Sequence, residues 1–140
     1  MKSRKLSIAA ALLIFVVSLA PAGHVSSSYA SAPVRVDILY MNHGPMQPTL
    51  RALKALFERY AQNTQVFWYD FDADSGKAFM KKNGINAHIP LLIYLNGAYS
   101  VRVGDRNVTF MGFPTGAGPY QFQGKWSLND LESALQSLAR

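Results

Sequence analysis

Apolar and polar positions alternate over VRVDILY, residues 34–40, and then give way to a continuous apolar run, which predicts a buried strand. From Pro48 to Ala61 the apolar positions Leu50, Leu53, Leu56, Phe57 and Tyr60 recur at helical spacing, with Arg51, Lys54, Glu58 and Arg59 on the opposite side. Pro48 fits only the first turn of that helix. QVFWYDF, 65–71, reads as a second strand. DSGKAFMKKNG, 74–84, reads as a short helix with Asp74 as N-cap and Gly84 as its stop. PLLIYL, 90–95, is a continuous apolar strand, and Asn96-Gly97 is a hairpin signal that makes YSVRV, 99–103, its return strand. NVTFM, 107–111, is a further strand candidate whose pairing the pattern leaves open. GFPTGAGPYQFQGKW, 112–126, is a loop rich in glycine, proline and aromatic residues. SLNDLESALQSLAR closes the chain as a helix: Ser127 and Asp130 form a capping-box pattern, and Leu128, Leu131, Leu135 and Leu138 form its apolar stripe.

The order β-α-β-α-β-β-(β)-α predicts an α/β fold. Its expected form is a right-handed βαβ unit, a hairpin and a packing helix, with a mixed sheet covered on both faces. Leu53, Phe57, Phe67, Leu92, Ile93, Leu131 and Leu135 are the expected core.

Residues 1–32 have a different character. MKSRK carries three positive charges, LSIAAALLIFVVSLA follows as a 15-residue apolar run, and small residues and serines come next. This is the form of a secretory signal peptide, and the run is shorter than the ~20 residues that span a bilayer comfortably. The alternative is an uncleaved anchor, the one route to a membrane the sequence offers. The remainder, 33–140, is one domain with room for one core. An exported, periplasmic or otherwise extracytoplasmic protein is the expectation.

Of the formal charge of +6, three basic residues belong to MKSRK; the remaining eleven face eight acidic residues, so the domain is only about +3. Its basic residues are dispersed, with Lys81-Lys82 the sole doublet of that domain, which argues against nucleic acid as partner. There is no cysteine. The domain therefore stands without disulfides and has no thiolate for thiol–disulfide exchange. No G-x-S-x-G frame is present, and no acid stands near His43 in sequence to orient it as a general base. Asp70, Asp72 and Asp74 have the spacing that opens a calcium loop, but Ser75 stands where glycine is required and Lys81 where the bidentate glutamate belongs.

Three stretches together resemble the thioredoxin-like superfamily. His43-Gly44-Pro45-Met46, between the first strand and the first helix, resembles the Cys-Gly-Pro-Cys redox loop with both cysteines replaced. Asp70-Phe71-Asp72 resembles the usual ending of the second strand. GINAHIPLLIYLNG, 84–97, resembles the segment that carries the family's cis-proline, with Pro90 in its place. The sequence departs from the family by one extra residue before Ile89-Pro90, one fewer between Pro90 and Asn96, Leu91 where threonine is usual, and a longer loop at 112–126. The resemblance implies a thioredoxin-like three-layer α/β/α fold with a mixed central sheet, a cis Ile89–Pro90 bond, and two loops converging at one end of the sheet.

On that convergence rest the functional expectations. The first is a redox-inactive, non-enzymatic domain without cofactor. It binds an extracytoplasmic protein or peptide at the former redox face through Asn42, His43, Gly44, Pro45, Met46, His88, Ile89 and Pro90, with aromatic residues Phe113, Tyr120, Phe122 and Trp126 available from the long loop. The alternative is a soft-metal site, copper above all, with His43, Met46, His88 and Met41 as ligands, because imidazole and thioether suit Cu(I) where thiols are absent. A third is a structural accessory domain with no ligand there.

Overall fold

The computed structural model describes residues 32–140. The expected signal peptide or anchor, apart from Ala32, lies outside the described residues. The chain forms strand β1 (Val34–Tyr40), helix α1 (Gln47–Arg59), β2 (Thr64–Asp70), α2 (Asp74–Lys82), β3 (Leu91–Leu95), β4 (Ser100–Val103), β5 (Arg106–Thr109) and α3 (Leu128–Leu138), with single 3-10 turns at Gly44–Met46 and Tyr120–Phe122.

The fold is mixed α/β around a mixed three-stranded sheet of order β2-β1-β3. β1 runs parallel to β2, from Val34 opposite Thr64 to Tyr40 opposite Asp70. β3 runs antiparallel to β1, with Val36 opposite Leu95 and Tyr40 opposite Leu91. All five residues of β3 are buried, which is why its sequence is apolar without alternation. On its far side the Ile93 N–H donates to the Phe110 carbonyl at 3.0 Å, and the Gly112 N–H donates to the Leu91 carbonyl at 2.8 Å.

That far-side pairing corrects the expected hairpin. Asn96 and Gly97 do make the turn, with φ of 49° and 86°, the left-handed values that favour this dipeptide. Leu95 and Ala98 exchange N–H···O bonds of 2.8 and 3.0 Å. There the pairing stops, because residues 110–112 occupy the flank of β3. The strand at 100–103 pairs instead with β5, Ser100 opposite Thr109 and Val103 opposite Arg106, as a separate two-stranded ribbon.

Two apolar clusters hold the domain. One gathers Val36, Ile38 and Ile93 from the sheet with Leu50, Leu53 and Phe57 of α1, Leu131 and Leu135 of α3, and Phe110, Phe113 and Trp126. The other is small: Leu39, Leu92 and Tyr94, with Tyr69, Phe71, Phe79 and Met80 packed against them. Phe67 belongs to neither and is 38% exposed, a correction to the expected core. Its register partner is Asp37, so its side chain shares the face of Asp37 rather than that of Val36 and Ile38, at the outer strand. The Arg35 guanidinium lies 4.2 Å from its ring centroid.

The helix ends follow local chemistry. The capping box at α3 is complete: the Asp130 N–H donates to Ser127 Oγ at 3.2 Å and the Ser127 N–H donates to Asp130 Oδ2 at 2.8 Å. In its stripe Leu131 and Leu135 are buried, and Leu128 and Leu138 are half-buried. At α2 the N-cap is Ala73, not Asp74; Asp74 sits in the first turn, where a carboxylate still meets the positive end of the helix dipole.

Candidate functional site

The end of β1 passes into Met41-Asn42-His43, and a single 3-10 turn over Gly44–Met46 leads into α1. Pro45 suits that turn because no donor is needed at its first positions. The Met46 N–H donates to the His43 carbonyl at 3.0 Å, closing the turn. Asn42 Oδ1 accepts from Gln47 Nε2 at 2.8 Å, which spends the asparagine on holding the loop. The second loop lies against the first: the Met41 N–H donates to the Pro90 carbonyl at 3.0 Å.

Between them lies a cleft of about 140 Å³. Met41, His43, Pro45 and Met46 form one wall, His88 and Pro90 another, and Phe113, Pro119 and Phe122 of the long loop close it. The thioether side chains form its inner part, since Met41 is 4% exposed and Met46 1%. The imidazoles form its outer part. His43 Nε2 lies 3.6 Å from Asp72 Oδ2 with both side chains exposed, beyond hydrogen-bonding range and an ion pair only when the imidazole is protonated. The His88 ring meets the Phe71 ring edge-on at 5.3 Å between centroids. Both histidines thus rest on consecutive residues of the turn that follows β2.

Six of the nine expected site residues line this cleft. Asn42 and Gly44 are exposed and do not line it. Ile89 lines a neighbouring, wider groove with His88, Pro90, Met111 and Phe122, which runs on towards Thr109 and Lys125. Ile89–Pro90 is trans: the described residues contain no cis peptide bond. This overturns the expected cis bond. The trans isomer is the ordinary one for X–Pro. Among the described residues no backbone hydrogen bond engages residues 86–89, although Ile85 and Pro90 on either side are bonded.

The long loop sorts its aromatic residues. Phe113 and Trp126 point inward at 4% and 1% exposure, and Trp126 Nε1 donates to the Gly112 carbonyl at 3.3 Å. Tyr120 is 87% exposed and Phe122 43%. The loop is tied across its width: the Phe113 N–H donates to the Phe122 carbonyl at 2.8 Å, and the Thr115 N–H to the Trp126 carbonyl at 2.8 Å. Gly118 permits the closure, because a Cβ there would overlap the Phe113 ring. Pro119 and the acid beside His43 escaped the sequence reading. Asp72 is remote in sequence, and only the parallel pairing of β1 with β2 brings the two strand ends together.

Among the described residues no three His, Cys, Asp or Glu side chains cluster as a metal site; the soft-ligand set would comprise two imidazoles and two thioethers. No protein-family model, curated protein or solved structure matches the chain.

Proposed function

We propose that this is an exported, redox-inactive domain of thioredoxin-like three-layer architecture, and that it binds an extended segment of a protein or peptide at the cleft between His43 and His88. The β2-β1-β3 order, with one parallel and one antiparallel pairing, supports the fold reading. So does the position of His43-Gly44-Pro45-Met46 at the end of β1, against Pro90. The trans bond at Pro90 counts against it, so the reading leans on topology.

The observation that carries the binding reading is the pairing of an apolar cleft with unengaged backbone. Residues 86–89 offer amides and carbonyls beside a surface of methionine, proline and phenylalanine. A peptide in extended form satisfies such backbone groups while its alternate side chains enter the apolar pocket. Nothing in that arrangement requires a thiolate, a cofactor or catalysis. The test is photo-cross-linking in the native compartment, with a photoreactive phenylalanine analogue placed at Phe122 or at Lys77 of α2. Discrete adducts from position 122 and none from 77 are expected. Equal yields from both positions contradict the reading.

Soft-metal binding is the second reading, favoured by one observation: His43, His88, Met41 and Met46 all line the same cleft. Ligation needs both imidazoles within ~2 Å of one ion, by analogy with zinc. Anaerobic titration with Cu(I) decides it. Equal affinity in wild type and in the His43→Ala/His88→Ala double variant removes these histidines as ligands.

A further inference from the structure

β2 is an outer strand, and among the described residues nothing pairs with its free edge. Exposed edges are usually blunted by lysine, proline, a bulge or shortness. β2 has none of these: its seven residues, TQVFWYD, contain neither lysine nor proline and pair with β1 without interruption. Phe67, at its midpoint, is more than one-third exposed.

We infer that this edge is a homodimer interface, in which β2 pairs antiparallel with β2 of a second copy about a two-fold axis at Phe67. A two-fold contact must be complementary to itself. With Phe67 on the axis, Val66 faces Trp68 of the second copy and Gln65 faces Tyr69. Apolar meets apolar, and no like charges oppose each other within the strand.

The helix beside the strand obeys the same symmetry. α1 runs antiparallel to β2: Lys54 Nζ lies 5.8 Å from the Trp68 ring centroid, and Thr64 Oγ1 donates to the Tyr60 carbonyl at 2.9 Å. Glu58 is therefore one turn nearer Thr64 than Lys54 is. One helical turn advances about 5.4 Å, and the step from Trp68 to Val66 about 6.6 Å. The axis that sets Trp68 opposite Val66 of the second copy thus brings Lys54 level with Glu58 of the second copy, twice per dimer. Both side chains border an open groove of about 340 Å³ between α1 and β2, which leaves room for them to meet.

The test is sedimentation equilibrium on protein isolated after expression of the full chain. Wild type should dimerise. Phe67→Lys should be monomeric, with its circular dichroism unchanged because the site is exposed. Lys54→Glu and Glu58→Lys each place like charges across both contacts and should weaken self-association roughly tenfold. Mixing those two variants pairs opposite charges at both contacts, so a heterodimer of near wild-type affinity should form. A wild-type monomer throughout the accessible concentration range overturns the proposal, whether residues 1–31 or nothing covers the edge. So does a dimer indifferent to Phe67→Lys, or a mixture that fails to restore association.

Discussion

The two faces of the sheet are held by different physics. Beneath α1 and α3 lies a continuous apolar cluster in which Val34, Ile38, Leu53, Ile93, Leu131 and Leu135 are fully buried. Beneath α2 the buried apolar set shrinks to Leu39, Leu92 and Tyr94. The rest of that face is an aromatic ladder and a charge network. Tyr69 stacks on Phe79 at 4.3 Å between centroids, and Phe79 meets Tyr94 edge-on at 5.6 Å. Asp37, only 5% exposed, accepts from Arg35 through both its oxygens at 2.8 and 2.6 Å and from Tyr69 Oη at 3.1 Å. The bidentate bond to Asp37 raises the Arg35 pKa further, and burial, then the Asp37 bond, raises that of Tyr69. The cleft sits where the faces meet. Of its lining, Met46 and Phe113 belong to the first cluster, and His88 rests edge-on against Phe71, which packs on the second. One face supplies stability through buried area, and the other leaves polar and aromatic side chains close to solvent.

The largest effects should come from the first face. Leu53→Ala removes a fully buried side chain and should cost towards the upper end of ~2–5 kcal/mol, with Leu92→Ala on the second face towards the lower end. Urea denaturation of both variants measures this. Equal losses would erase the distinction between the faces. Next comes the network. Asp37→Ala should cost about 1–2 kcal/mol, because Tyr69 loses its acceptor, while the half-exposed Arg35 recovers part of its loss from water. An unchanged unfolding midpoint would show that the second face does not depend on it.

A smaller effect belongs to the start of α3. Ser127→Ala should cost ~1 kcal/mol through the lost cap. Burial raises the pKa of Asp130, but its bonds from Ser127 and Arg106 outweigh that and hold it below the ordinary value. A carboxylate with a depressed native pKa stabilises above its unfolded pKa, and that contribution disappears as pH falls through the native one. The stability gap between wild type and Asp130→Asn should therefore be full at neutral pH and close as acid protonates the native carboxyl. A gap constant down to the acid end would contradict the assignment.

Sequence alone reached what local chemistry determines. The bounds of β1, the stripe of α1, the capping box of α3 and the Asn96-Gly97 turn depend on neighbours a few residues apart, and all four stand. The meeting of His43, Met46, His88 and Pro90 was legible too, through the resemblance of their loops. What failed depended on distant partners. Phe67 has core chemistry, but its face was set by register against Asp37 at an outer strand. The return strand after Gly97 lost its place on β3 to residues 110–112; the move of the α2 N-cap from Asp74 to Ala73 is, by contrast, a local shift of one residue. The cis bond at Pro90 was borrowed from a family whose loop is one residue shorter. Pro119 and Asp72 join the cleft only once the chain has folded.

The central claim is that an extended peptide binds across His88 and Ile89. It is tested most directly by amide chemical-shift mapping with a short peptide selected from a random display library against the whole protein. Shifts should concentrate at residues 41–46, 88–89 and 113–122, with new hydrogen-exchange protection at the amides of His88 and Ile89, and Phe122→Glu should abolish them. A selected peptide whose shifts fall on other surfaces, leaving residues 41–46 and 88–89 unmoved, would contradict it.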